Sequence, residues 1–293
     1  MPDYGSATVR RRRLAAELRK LREQANLTGD DVARALRWSP SKVSRYELAR
    51  TGLKPGDVKK MLDIYGVEDV LQGELLALAR EATRRGWWED YSDALPEQYL
   101  ALIALEDEAR ECLCWLIECV PGLLQTEAYA AAVNSGMQEV DRLPPGLMQR
   151  RVDARMRRQQ VLTRTPSLGL QVVLDESVLL RQVAPAPVMR AQLEYLLDRS
   201  HLASMSLQVV PLAGVRKIMA PSFTLLKFPD QGTAPGATLH DVVSTETLES
   251  TLHFQGEIDT HPYQLAFNTI VESALSPSDS LGLIADTMRR AWS

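Results

Sequence analysis

Leu27 to Glu47 reads LTGDDVARALRWSPSKVSRYE. Thr28 is a good N-cap, and Asp31 three residues later supplies the carboxylate of a capping box, so a helix opens here. Asp30 and Asp31 also suit the positive end of that helix's dipole. Val32, Ala33 and Leu36 recur at helical spacing and face inward. Arg37-Trp38-Ser39 then breaks the pattern. Ser39 is a second N-cap, and Pro40 takes the first helical position, where its missing N–H costs nothing. Trp38 can pack on Val43 as a hydrophobic staple that fixes the entry angle. The stretch therefore predicts two short helices joined by a tight turn. Val43 and Tyr46 point inward on the second helix, and Ser41, Lys42, Ser44 and Arg45 point out.

The flanks complete a small helical core. A helix over Thr8–Ala25 offers Leu14, Leu18, Leu21 and Ala25 as an apolar stripe. Another, over Pro55–Tyr65, offers Val58, Met61, Leu62 and Tyr65. Residues 1–60 hold 15 Lys+Arg against 7 Asp+Glu, while the other 233 hold 19 against 31. A basic head on an acidic body implies a polyanion partner for the head alone. Read alone, Ser, Lys and Arg on a short helix only solubilise its surface. With the turn, the cap and the local charge they fit a DNA major groove, where the N-terminal part of the second helix meets base edges. Arg45 can donate two hydrogen bonds to guanine O6 and N7. Lys42 can serve a base or a phosphate. Thr28, Ser39, Ser41, Ser44 and Arg50 suit the phosphate backbone.

Thr28, Val32, Ala33, Leu36, Ser39, Val43, Ser44, Tyr46 and Glu47 together resemble the lambda-repressor-like, Xre-type helix-turn-helix. That resemblance implies that Glu47 pairs with Arg22 of the first helix as a scaffold contact. Two positions depart from the family pattern. Gly29 stands where a phosphate-gripping glutamine is usual. Arg37 stands where glycine is usual, so either Arg37 carries a positive φ at a cost or the turn differs.

Past residue 67 the signals change. Asp69–Arg85 is periodic through Leu71, Leu75, Leu78 and Ala82, with Gly86 as its cap, and reads as a connecting helix. Trp87 and Trp88 cannot both face one side of a helix, so they read as anchors, with a ligand platform as the alternative. Gln98–Glu118 reads as one helix that places Cys112 and Cys119 on a shared face. The three cysteines match no disulfide or zinc pattern and read as small buried hydrophobes, with a redox or metal sensor as the alternative. Pro144–Leu162 is an arginine-rich helix. Its Arg151, Arg155 and Arg158 read as a solvated face, a dock for an acidic partner or a second DNA contact. Beyond Pro166, strands at Leu168–Leu174, Ser206–Pro211, Phe223–Phe228 and Ala237–Ser244 mix with helices at Pro187–Ala203, Pro262–Ala274 and Pro277–Ala291. The four histidines, His201, His240, His253 and His261, are scattered. The late acidic residues Asp241, Glu246, Glu249, Glu257 and Asp259 fit a solvated loop.

LALAREATRRGWWEDY, LEDEA, VPGLLQTEAYA, LDESVLLR, QLEYLL and LQVVP resemble the WhiJ-like actinobacterial regulators. These join an Xre-type head to a long C-terminal domain and are described as toxin–antitoxin-like. The resemblance implies a transcription regulator whose C-terminal domain senses a protein or a small ligand, and such genes commonly lie beside one for a small companion protein. The expected function is a repressor that answers to that companion. A small-molecule sensor with a ligand cavity is the alternative.

The expected fold is mainly α with an α+β C-terminal part. Residues 1–67 form the DNA-binding domain, 68–86 a connecting helix, and 87–293 a domain for partner or ligand binding and dimerisation. The expected partners are double-stranded DNA and a second copy, with half-sites about 34 Å apart. No cofactor, metal or catalytic motif is evident, so an enzyme is not expected. Without a long apolar run or a signal peptide, the chain is expected to be cytoplasmic, with no membrane contact.

Overall fold

The computed structural model describes residues 9–83, 86–136, 142–228, 241–247 and 251–292. Two compact units divide the chain between Glu89 and Asp90.

The first unit is all helical: α1 (Val9–Gln24), α2 (Gly29–Leu36), α3 (Pro40–Glu47), α4 (Pro55–Tyr65) and α5 (Asp69–Ala82). Leu14, Leu18, Val32, Ala33, Val43, Tyr46, Val58, Met61 and Leu62 bury the stripes read from the sequence. Leu75 and Ala79 of α5 belong to that same core. The stretch expected to be a separate connector is thus a fifth helix of the bundle. Its apolar face is the reason, since a lone helix cannot bury a stripe. α5 ends at Ala82 with Thr83 as its cap, not at Gly86.

Four successive helices end alike. At α1 the Leu27 N–H reaches Arg22 O and Asn26 N–H reaches Glu23 O; at α2 Trp38 reaches Ala33 and Arg37 reaches Arg34. At α3 Arg50 reaches Arg45 and Ala49 reaches Tyr46, and at α4 Val67 reaches Leu62 and Gly66 reaches Asp63. These paired bonds are Schellman motifs, whose penultimate residue is left-handed. Asn26, Arg37, Ala49 and Gly66 have φ of 57°, 53°, 54° and 69°.

The second unit holds α6 (Glu97–Glu108), β1 (Glu111–Leu116), α7 (Glu127–Gly136), α8 (Pro145–Arg158), β2 (Gly169–Asp175), α9 (Glu176–Leu180), α10 (Ala186–Arg199), β3 (Met205–Val210), β4 (Phe223–Lys227), β5 (Val242–Glu246), β6 (Thr251–Gln255), α11 (Glu257–Ser273) and α12 (Pro277–Ala291). The strands form one mixed sheet in the order β3-β2-β1-β4-β5-β6. β1, β2 and β3 run parallel, so helices fill the crossovers between them, and β4, β5 and β6 continue antiparallel. Phe267 and Ile270 of α11 cover one face over Leu113, Trp115, Val173, Phe223, Leu225 and Val243. Alternate residues, Cys112, Cys114, Ser244 and His253 among them, face the other side, where His253 Nε2 meets Gln98 O of α6 at 2.9 Å. The chain is therefore mainly α with an α+β C-terminal part.

Three expectations need correction. Gln98–Glu118 is not one helix: α6 stops at Glu108, Ala109 is extended, and ECLCWL is the central strand β1. A strand buried on both faces shows no alternation, so its periodicity mimics a buried helix. Cys112 and Cys114, not Cys119, therefore share a face, with Sγ atoms 3.5 Å apart. The hydrogen-bonded Cys114 thiol and burial push the Cys112 thiol up, and burial pushes Cys119 up to about 11, which disfavours thiolate chemistry at both. Finally, the late acidic residues do not share one loop: Glu246 ends β5, and Glu257 and Asp259 stand in the first turn of α11, with β6 and its buried Thr251 and His253 between them. His240, Glu249 and the start of the Ala237–Ser244 stretch lie outside the described residues.

Candidate DNA interface

α2 starts at a complete capping box. Asp31 N–H donates to Thr28 Oγ1 at 3.2 Å, and Thr28 N–H donates to Asp31 Oδ2 at 3.0 Å. The Thr28 hydrogen bonds hold the Asp31 carboxyl below its ordinary range. Thr28 therefore serves first as a cap, although it stays exposed. Ser39 has the extended backbone of an N-cap, but its hydroxyl makes no capping bond and lies 3.1 Å from Ser41 Oγ.

The turn itself depends on Arg37, which occupies the left-handed position usually given to glycine, with φ 53° and ψ 42°. A non-glycine residue there costs about 1–2 kcal/mol. Arg37 is exposed, so its side chain has no buried contact to lose. Arg37→Gly is expected to raise the stability of the first unit by about 1 kcal/mol, since strain relief outweighs the added freedom of the unfolded chain. Urea unfolding would measure it, and a clear loss of stability would contradict the strain.

α3 is then held from two sides. Arg22 clasps Glu47 with two parallel hydrogen bonds, Nε to Oε1 at 2.7 Å and Nη2 to Oε2 at 2.9 Å. The third arm of Arg22 reaches Leu27 O at 2.8 Å. The side chains are 12% and 9% exposed, which places both in the scaffold. On the other side Asp57 of α4 accepts from Tyr46 Oη at 2.7 Å and from Lys42 Nζ at 2.8 Å. Trp38 meets the Tyr46 ring edge-on, with centroids 5.9 Å apart.

Ser41, Ser44, Arg45 and Arg50 are left exposed along α3 and just beyond it. Lys42 is half-buried and ion-paired, which the sequence reading missed because its partner lies 15 positions away. Gly29 lies against Val43, with room for a Cβ at 4.0 Å.

The candidate partner residues past the helix-turn-helix are mostly engaged, Trp87 and Trp88 at the end of the first unit and the arginines in the second. Arg158 of α8 is buried, and it clasps Glu106 and donates to Tyr99 Oη. Arg155 donates to Gln125 at 2.8 Å, and Arg151 to Ala94 O at 2.8 Å. Arg158 is therefore corrected as a solvated, docking or DNA-contacting residue, since its whole guanidinium is spent inside its own unit, while Arg151 and Arg155 are half-buried and each donates within that unit. Trp88 is buried and Trp87 half-buried, their ring centroids 5.9 Å apart. A Cβ on Gly86 would fall 2.2 Å from the Trp88 ring, which explains the glycine. Among the described residues no group of His, Cys, Asp and Glu is placed to hold a metal. No helix searched among them is long and apolar enough to cross a membrane.

Two helices joined by a tight turn, the second presenting serines and an arginine from a basic head, make a helix-turn-helix, the mark of a DNA-binding regulator. Residues 13–75 match the family described as helix-turn-helix domain. Residues 99–286, more than half of the chain, match the family described as domain of unknown function (DUF5753), and the chain belongs to that family. No curated protein and no solved structure matches it.

Proposed function

We propose that this chain is a sequence-specific transcriptional repressor of the WhiJ-like, toxin–antitoxin-like kind. It acts in the cytoplasm as a homodimer, by binding rather than catalysis, and its C-terminal part responds to a small companion protein. The observation that carries the DNA reading is the exposed set Ser41, Ser44 and Arg45 on a helix fixed by Arg22–Glu47 and by Asp57. Donors on a rigid element keep the geometry that base readout needs. A protein partner is supported by α11. There Ile258, Pro262 and Leu265, at i, i+4 and i+7, make an outward apolar line, with Ile258 90% and Leu265 53% exposed. A protein partner that covered this line would take its apolar side chains out of water.

The test is genome-wide mapping of bound DNA, with and without the neighbouring companion gene. Arg45→Ala is expected to cost about 1–3 kcal/mol, or roughly 5- to 150-fold in occupancy, and to relax base preference. If the variant occupied the wild-type sites unchanged, α3 would not be the reader. If deletion of the companion left every site and its occupancy as before, the response to that protein would be abandoned.

A further inference from the structure

Lys42 stands on the outward half of α3, yet its charge is turned back onto the protein. Its Nζ lies 2.8 Å from Asp57 Oδ2 and 3.6 Å from the centre of the Trp38 ring. Tyr46, one turn further along α3, gives its hydroxyl proton to that same carboxylate oxygen at 2.7 Å. Asp57 thus holds two α3 residues, i and i+4, from the third position of α4, where the helix dipole favours a negative charge. The carboxylate side chain is 17% exposed and that of Lys42 30%, so solvent screens the pair less than a surface contact. The hydrogen bonds from Lys42 and Tyr46 hold the Asp57 carboxyl below its usual range against the opposing effect of burial. Arg45, by contrast, is exposed.

We propose that Asp57 is a specificity-setting residue of the DNA interface: it retains the Lys42 ammonium on the protein, so α3 meets DNA without that sequence-blind cation. This deepens the DNA-binding reading and rests on it. A lysine that binds phosphate releases counterions and strengthens binding to every sequence alike. A lysine neutralised by a carboxylate releases none. The contrast between the operator and other DNA then rests on Arg45, whose contacts depend on the base. Asp57 is a positioning residue that acts through Lys42 and Tyr46.

The experiment measures binding of the full chain to a short mixed-sequence DNA duplex across a salt series. Three proteins are compared: wild type, Asp57→Asn and Asp57→Asn/Lys42→Ala. Asparagine keeps an acceptor for Tyr46 and frees Lys42. The expected slope of log affinity against log salt is steeper by about 0.9 in Asp57→Asn, so it loses about 3.5-fold more affinity than wild type between 50 and 200 mM salt. Removal of Lys42 from that variant is expected to return the slope to the wild-type value. An unchanged slope in Asp57→Asn would show that Lys42 already grips phosphate, or never reaches it, and would overturn the proposal. A slope that stays steep in the double variant would assign the effect to loss of carboxylate repulsion and would also overturn it. Should Asp57→Asn fail to fold, Asp57→Ser frees the same lysine and replaces it in both proteins. Absence of duplex binding by wild type would defeat the DNA-binding reading itself, whereas binding by wild type with an unaltered variant slope defeats only the role of Asp57.

Discussion

Replacing Arg158 by methionine lowers the stability of the second unit by about 3–5 kcal/mol, the cost of stripping the partner from a buried charge. Glu106 is 1% exposed, and Arg158 clasps it with Nη2 to Oε1 at 2.7 Å and Nε to Oε2 at 2.5 Å. The remaining Nη1 donates to Tyr99 Oη at 2.6 Å. Burial pushes the Glu106 carboxyl above its ordinary range against the pull of Arg158, and Glu246 adds repulsion. Without Arg158 the folded-state value rises further. A carboxyl raised in the folded state costs stability above its unfolded value, about 4.3, and the cost fades as pH falls through the folded value. The deficit of Arg158→Met is therefore larger at pH 8 than at pH 5. Hydrogen exchange of α8 amides at both pH values measures it. A deficit below about 1 kcal/mol, or one that grows on acidification, would contradict the buried pair. Arg158→Met combined with Glu106→Leu removes both charges and is expected to recover most of the loss.

The head was legible because its signals are local. Thr28 with Asp31, and Ser39 with Pro40, mark helix starts within four residues, and the inward stripes follow from period alone. Even Arg37 could be flagged from sequence, since a turn that wants positive φ makes any side chain there conspicuous, and the observed φ of 53° satisfies that demand. What stayed hidden were the partners. Lys42 looked like a free reader because Asp57 lies on another helix. Arg158 looked solvated in an arginine-rich run because Glu106 is 52 positions away. In the sheet, β1 is apolar on both faces and so carried no period of two. β6 hides its inward positions behind the polar residues Thr251 and His253, with Ser244 and Gln98 satisfying the imidazole. α11 begins at Glu257, five residues before the expected Pro262, because proline usually opens a helix and here lies inside one. Short-range chemistry is written in neighbouring residues, whereas pairing across the fold is written only in the fold.

Glu47→Ala is expected to cost the first unit about 2–3 kcal/mol, toward the lower end for a broken ion pair because some solvent reaches it. The hydrogen bonds that Arg22 donates to Glu47 favour its charged form and raise its guanidinium. Without them Arg22 keeps Leu27 O and the exposed Glu23 within reach, at 2.8 Å and 3.6 Å. The damage should exceed the lost stability. Arg22 joins the end of α1 to the end of α3, so its release frees the reading helix on one side while Asp57 still holds the other. DNA affinity should therefore fall in samples that remain folded, by an amount that Glu47→Gln, which keeps one acceptor for Arg22, largely restores. Hydrogen exchange of α3 amides gives the local stability, and duplex binding well below the melting transition gives the second effect. A Glu47→Ala protein with wild-type exchange in α3 would show that the clasp is ornamental. One with lowered stability but undiminished affinity would show that α3 needs no anchor at its far end to meet the groove.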